Sequence, residues 1–222
     1  MSLKNAARFV LACSLLSSML FIPAGRFDLP WFWAYLGVFV TFALVNAVVI
    51  QRTDASLLEE RFRTGPGDRN ARFRWLIVPV FIGHMALAGI DAGRWQRPGE
   101  FPRALQAAGL AGMAASLGCW VWAISANRFF SGQVRIQSDR GHQVAMGGPY
   151  RFVRHPGYLG FFLFHFASPL ALGSWWSALP LIPGIPLLAY RTAVEDRMLR
   201  VELSGYIEYA ARVRYRVLPG VW

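Results

Sequence analysis

Apolar residues along this chain gather into blocks and do not recur at the three-and-four spacing of an amphipathic surface helix. The first block runs from Arg8 to Ile22 and ends at Pro23. Others span Trp31 to Ile50, Trp75 to Ile90 and Leu105 to Ile124. About 20 apolar residues suffice to cross the hydrocarbon core, so each block reads as a membrane helix. Trp31, Trp33 and Tyr35 open the second block, where an aromatic belt is expected. The third is shorter and flanked by Arg72, Arg74 and Asp91, while the fourth is rich in Gly and Ala, which suits close helix packing. Lys4 and Arg8 before the first block resemble the basic start of a signal peptide. Ser17 and Ser18 make no cleavage site, however, and a second apolar block follows at once.

Two further blocks, Tyr158 to Leu172 and Trp175 to Tyr190, are separated only by Gly173 and Ser174. Each is short for a full crossing. Together they predict a tight helical hairpin dipping into the bilayer, with its tip at Gly173-Ser174-Trp175-Trp176. Pro180, Pro183 and Pro186 are expected to bend its second arm. Between the second and third blocks lies a polar loop, Arg52 to Arg74, with turn residues at Gly65-Pro66-Gly67. Leu57, Leu58 and Phe62 stand there at helical spacing and predict a helix on the membrane surface. The fold class expected is all-α, a polytopic bundle of five to six membrane helices that includes the C-terminal hairpin. The chain divides into N-terminal membrane helices over 1–126 and a polar-plus-hairpin segment over 127–222.

Composition agrees with a membrane class. Of 222 residues 55% are apolar and 16% charged, where a soluble domain carries about 25% charged residues. The net charge of +11 is carried almost wholly by arginine, Lys4 being the single lysine. A nucleic-acid binder would gather such charge on one soluble face. Here the arginines sit between apolar blocks, which excludes nucleic acid as partner and leaves membrane lipids. Alternate crossing places 19 of the 23 basic residues on one side and Arg26, Arg94, Arg97 and Arg103 on the other. The positive-inside rule makes the richer side cytoplasmic, so both termini are expected there in a multi-pass integral protein. Cys13 and Cys119 lie apart inside apolar blocks, which argues against a disulfide framework and against a metal site.

Dense polar chemistry is confined to two stretches. One is Gly147-Gly148-Pro149-Tyr150-Arg151-Phe152-Val153-Arg154-His155-Pro156-Gly157-Tyr158. The other starts at Arg191, passes Glu195-Asp196, Tyr206, Tyr209 and Arg212, and ends at Arg216. The hairpin joins them and returns both to one membrane level. Glycines let backbone amides approach a ligand closely. A helix beginning at His155-Pro156 would favour a carboxylate. Glu195 offers charge to an ammonium or a ribose, and the tyrosines offer faces for stacking. Pattern alone leaves plainer roles open. Arg151 and Arg154 serve equally as headgroup-facing charges. His155 serves as an interfacial cap, Glu195 and Asp196 as partners of nearby arginines, and Tyr206 and Tyr209 as belt aromatics. His84, His165 and Asn46 fall inside apolar blocks and are expected to hydrogen-bond between helices.

Arg154-His155-Pro156-Gly157-Tyr158, followed about 37 residues later by Glu195-Asp196, resembles the RHPxY…EE signature of membrane methyltransferases. These include isoprenylcysteine carboxyl methyltransferases and phospholipid N-methyltransferases. Gly148-Pro149-Tyr150 and Gly205-Tyr206-x-Glu208-Tyr209-x-x-Arg212-Val213 are similar as well. The ending Arg214-Tyr215-Arg216-x-x-Pro219-x-x-Trp222 resembles prokaryotic members of the isoprenylcysteine group, which implies a prokaryotic inner membrane. The resemblance implies S-adenosylmethionine as cofactor in a cytoplasmic pocket of the C-terminal segment. It implies a lipophilic or prenylated substrate entering from the bilayer. Carried over, it implies cofactor contacts at Gly148, Tyr150, Arg154, His155, Pro156, Tyr158 and Glu195, with Glu195 and Arg212 at the reacting centre. Asp196 departs from the signature, which has a second Glu there. The alternatives are a phospholipid N-methyltransferase, an NADPH-dependent membrane reductase of the sterol reductase type, and a non-catalytic membrane scaffold.

Overall fold

The computed structural model describes residues 3–53, 71–95 and 101–222. The surface helix expected around Leu57, Leu58 and Phe62 and the turn at Gly65-Pro66-Gly67 lie outside them. Among the described residues the fold is all-helical. Four helices are long and apolar enough to cross a membrane: α1 (Leu3–Ala24), α2 (Pro30–Thr53), α3 (Ala71–Gly93) and α4 (Arg103–Ser125). They match the four apolar blocks and overrun them by a few residues at each end, because flanking polar residues still close helical hydrogen bonds. Pro23 and Pro79 are accommodated inside α1 and α3. The chain is a multi-pass membrane bundle, with exposed apolar faces such as Val10, Leu11 and Leu15 on α1, Val45 and Val48 on α2, and Trp75 on α3. Such faces are covered by lipid and need no protein partner.

Helix α5 (Pro156–Leu172) packs against α4 more closely than any other pair. Small residues allow it. A Cβ on Gly109 would stand 2.3 Å from the Ala171 nitrogen, and one on Gly160 would stand 2.8 Å from the Ser116 carbonyl. This is the small-residue seam that close helix approach in membranes requires. The core between the helices combines Leu20, Tyr35, Met85, Met113, Phe164 and Leu172.

The hairpin departs from expectation in its second arm. Gly173 takes a left-handed conformation at φ 66°, and the Gly173 and Ser174 amides bond back to Leu170 and Pro169, closing α5. A 3-10 turn then spans Trp176–Leu181, and α6 (Gly184–Glu202) starts nine residues beyond the block's first residue, Trp175. The prolines are responsible. Pro180 and Pro183 cannot donate to a helical ladder, whereas Pro186 sits in the first turn of α6, where amides have no helical partner. A short α7 (Tyr206–Arg212) follows the left-handed Gly205, and the tail runs back across the start of α5.

His84 fulfils its expected helix-joining role. Its Nε2 meets Ser168 Oγ at 2.7 Å and its Nδ1 meets the Ser177 carbonyl at 2.7 Å. Ser168 Oγ also bonds Tyr35 Oη at 2.7 Å, and Ser174 donates to Asp91 at 2.5 Å. His165 Nδ1 is bonded only within its own helix, to the Phe161 carbonyl, and the side-chain Oδ1 of Asn46 has no partner among the described residues.

Candidate functional site

The first polar stretch ends as a 3-10 turn, Gly148–Arg151, followed by His155 as N-cap and Pro156 as the first residue of α5. Gly148 is needed there twice over. Its φ is +55°, and a Cβ would stand 2.9 Å from Ala126 and 3.1 Å from the Trp122 ring nitrogen at the end of α4. The amides of Arg154 and His155 are taken by the tail, donating to the Tyr215 carbonyl at 2.9 Å and the Arg216 carbonyl at 2.8 Å. Arg154 Nη1 donates to the Val213 and Arg214 carbonyls at 2.9 and 2.7 Å. The tail is therefore stitched to the Arg154-His155-Pro156 stretch.

Asp196 anchors that stitching from α6. Its Oδ1 accepts Arg154 Nε at 2.8 Å and the Tyr206 hydroxyl at 2.9 Å, and meets His155 Nε2 at 3.3 Å. Its Oδ2 accepts Arg200 Nε at 3.0 Å and Arg216 Nε at 3.1 Å. Burial opposes ionisation of this carboxyl. The hydrogen bonds from His155 and Arg154, the His155 charge and the Arg200 bond outweigh it and hold Asp196 well below the usual carboxylate range.

Glu195, its neighbour, turns elsewhere. Side-chain exposure is 27% for Glu195 and 1% for Asp196, so only one acid of the pair reaches open space. Glu195 Oε2 accepts the Tyr158 hydroxyl at 2.8 Å, and that hydroxyl accepts Arg191 Nε at 2.7 Å. Arg191 also donates to the Gly132 carbonyl and lies 4.6 Å over the Phe73 ring. Arg191 and Glu195 are one turn apart on α6, so Tyr158 bridges two charges on the same helix face.

This relay faces a cavity of about 550 Å³. Its polar lining includes Tyr150, Arg154, His155, Tyr158, Arg191, Glu195 and Tyr206, and its apolar lining includes Phe42, Phe73, Ile77, Trp120, Phe130 and Phe161. Pairs one turn apart supply much of the wall: Phe42 with Asn46, Phe73 with Ile77, Gly157 with Phe161, and Arg191 with Glu195. The segment between α4 and α5 covers it with Phe129, Gln133, Gln137 and His142. Gln137 is buried and donates to the Phe129 carbonyl at 2.7 Å, and its own amide donates to His142 Nδ1 at 3.3 Å. Burial, with the charges of Arg135 and Arg140, lowers His142 to about 4, so its ring is neutral at neutral pH. Burial likewise raises the phenols of Tyr150, Tyr206 and Tyr209, which remain protonated donors. Tyr209 donates to the Tyr150 carbonyl at 2.7 Å, and Asn127 donates to the Tyr150 hydroxyl at 3.1 Å.

Of the residues singled out in the sequence, Tyr150, Arg154, His155, Tyr158 and Glu195 meet at this one cavity. Gly148 and Pro156 are not among its lining residues; Pro156 is buried, and its carbonyl faces Cys119 Sγ at 3.4 Å. Arg212 is exposed outside the cavity and contacts Met146 Sδ at 3.3 Å. Sequence reasoning passed over Arg191, Asn46 and His142 as site residues. The four-residue interval from Arg191 to Glu195 was a usable signal for the first. Asn46 stood out as a polar residue inside an apolar block, and His142 carries no such signal.

Residues 109–201 match the model of the isoprenylcysteine carboxyl methyltransferase (ICMT) family. The protein-S-isoprenylcysteine O-methyltransferase B of Arabidopsis thaliana is 29% identical over 92 residues, a stretch covering 40% of this chain and 47% of that relative. The chain therefore spans about half the length of this curated relative. The family match includes α5, most of α6 and the covering segment; Phe42, Asn46, Phe73, Ile77 and Tyr206 line the cavity from outside it.

Proposed function

We propose, from the match of residues 109–201 to the isoprenylcysteine carboxyl methyltransferase family model, that this chain is a membrane methyltransferase using S-adenosylmethionine and a lipophilic acceptor. One observation carries the reading. A single cavity is lined both by charged, hydrogen-bonding side chains and by apolar side chains of the membrane helices, Phe42, Phe73, Ile77 and Trp120 among them. Its volume lies within the roughly 300–1,000 Å³ of small-molecule sites. The donor set fits a charged nucleoside. Glu195 offers a partly exposed carboxylate to a cation or a ribose, Tyr150 and Tyr158 offer aromatic faces, and the covering segment offers amide side chains. The sulfonium supplies a methyl group that is already activated.

The protein's task is then alignment and the exclusion of water. Tyr158 holds Glu195 in place, and the Asp196 cluster fixes the tail and His155 behind it. Holding the reacting groups in near-attack geometry accounts for much of such a rate enhancement. We assign the acceptor's anionic end to Arg191 and not to Arg212. Arg191 is fixed by Tyr158 and Gly132 at the cavity wall, whereas Arg212 lies exposed beyond it. A guanidinium held in this way recognises a carboxylate through its planar fork.

The test is calorimetric titration of S-adenosylhomocysteine into the purified protein, followed by transfer of labelled methyl to a prenylcysteine analogue and to extracted lipid. Saturable binding and labelled product are expected. No binding of the nucleoside, with intact folding, would refute the reading.

A further inference from the structure

We propose that Gly157 and Phe130 together set the width of hydrocarbon that the cavity admits, which makes them specificity-determining residues for the acceptor. The inference rests on the cavity being the acceptor's site. It goes beyond that reading by assigning the choice among acceptors to two residues.

Gly157 is the second residue of α5 and lines the cavity. A Cβ there would stand 2.7 Å from Phe130 Cε2 and Cζ, so the rim of that ring fills the place of the missing side chain. Phe130 reaches it from the covering segment between α4 and α5. Its ring meets the Trp120 ring edge-on, with centroids 5.3 Å apart, and Trp120 meets Phe161 at 4.2 Å and 89°. All four residues line the cavity, and these contacts join them into one continuous wall. The wall has a definite depth. Trp120 lies five residues before Ser125, the last of α4, and Phe161 lies five residues after Pro156, the first of α5. Both stand roughly 7.5 Å along their helices from the ends that flank the Gly148–Arg151 turn.

Chemistry and packing say what such a wall does. Charged and nucleoside groups need polar partners, whereas a hydrocarbon needs none and gains by leaving water. Adenine stacking on the same rings is the competing occupancy, and cofactor affinity decides between them. Phe130 also packs against the buried pair Ile50 and Ile124, and against the cluster that includes Ala123, Tyr150 and Tyr206. Ordinary contact begins at 3.4 Å, so a methyl on Gly157 makes the ring yield by about 0.7 Å. Filled packing resists such movement, and the cavity is the side with room. Added bulk at either residue therefore narrows the cavity without changing its charge. Alanine also suits a helix better than glycine, so the backbone gives no reason for Gly157→Ala to unfold.

The experiment uses the full chain in nanodiscs, with the S-farnesyl and S-dodecyl derivatives of N-acetylcysteine as calorimetric probes. Their main chains are equally long, and farnesyl is the wider through its methyl branches. S-Adenosylhomocysteine is titrated in parallel. Gly157→Ala should weaken farnesyl binding about tenfold more than dodecyl binding, the scale of one misplaced methyl group in an apolar pocket. S-Adenosylhomocysteine affinity should stay unchanged. Combining Gly157→Ala with Phe130→Leu should return the ratio of the two probes to within about threefold of wild type, because the shorter side chain removes the collision. Phe130→Trp adds bulk from the opposite side, should give the same selective loss, and carries the test if Gly157→Ala does not fold. Unchanged or equal affinities of the two probes in the narrowed variants, a loss that Phe130→Leu does not relieve, or failure of both probes to bind wild type would overturn the proposal. A parallel fall in S-adenosylhomocysteine affinity would overturn it too, giving the wall to the nucleoside. If wild type binds the probes but not S-adenosylhomocysteine, the methyltransferase reading falls, and the probe ratio still decides the width proposal.

Discussion

Replacing the adjacent acids one at a time should separate two kinds of loss. Asp196→Asn removes the carboxylate shared by Arg154, Arg200 and Arg216, and Arg154 is itself only 4% exposed in its side chain. Taking one partner from a buried ion pair costs about 3–5 kcal/mol, because the remaining charge stays buried and uncompensated. Asparagine retains one accepting oxygen, so the lower part of that range, about 3 kcal/mol, is expected. For a chain of this size that corresponds to a fall in Tm of about 6–12 °C. The tail should loosen with it, since Arg154 also holds the Val213 and Arg214 carbonyls. Glu195→Gln acts differently. The side chain is partly exposed and its Tyr158 bond survives as a neutral one, so Tm should stay within about 2 °C. Cofactor affinity or turnover should fall about ten- to a hundredfold, the scale of a hydrogen bond to a charged group. Tryptophan-fluorescence melting in detergent and calorimetry on both variants measure the two effects. The Asp196 contribution also has a defined pH dependence. Its folded-state pKa is depressed, so the stabilisation is fully present above the unfolded value of about 3.9 and is lost as pH falls below it. The Tm gap between wild type and Asp196→Asn should be flat from pH 5 to 8 and close under acid. An unchanged Tm for Asp196→Asn, or an equal loss for Glu195→Gln, would refute this division of roles.

Arg191→Lys should lower turnover about tenfold or more, since an ammonium cannot bridge Tyr158 and Gly132 while lying flat over Phe73. Arg212→Ala, at an exposed side chain, should change stability by no more than about 0.5 kcal/mol and turnover little; methyl-transfer assays on both variants decide the assignment. His142, lowered to about 4, is neutral in the folded state, so its contribution is present above the unfolded pKa of about 6.5 and is lost between there and about pH 4. A His142→Gln variant should lack that part of the acid destabilisation in melting curves taken across the interval. For topology, single cysteines at Asp28 and Ser138 in a background lacking Cys13 and Cys119 should label from opposite membrane faces, the second from the cytoplasm. Labelling from one face would undo the orientation argued from the arginines.

Long-range order in hydropathy was legible without coordinates. A membrane helix is defined by a run of apolar residues of sufficient length, and α1 to α4 follow their blocks within a few positions. The meeting of Tyr150, His155, Tyr158 and Glu195 was legible too, because a hairpin must return its two ends to one level. Local turn chemistry was harder to read. Three prolines in the hairpin's second arm signalled a bend, and their missing amide donors account for the 3-10 turn that precedes a helix starting at Gly184, a boundary that hydropathy does not mark. The resemblance already favoured Glu195 over Asp196, and the tertiary structure supplied the physical difference between them. Neighbours on a helix point about 100° apart, so one faces the cavity and the other faces the tail. Which of them does so depends on where Arg154, Tyr206 and Arg216 come to rest. The placement of Arg212 outside the cavity and of Asn46 within it was decided in the same way. Side-chain environment depends on elements far apart in the chain, and a one-dimensional pattern does not carry their approach.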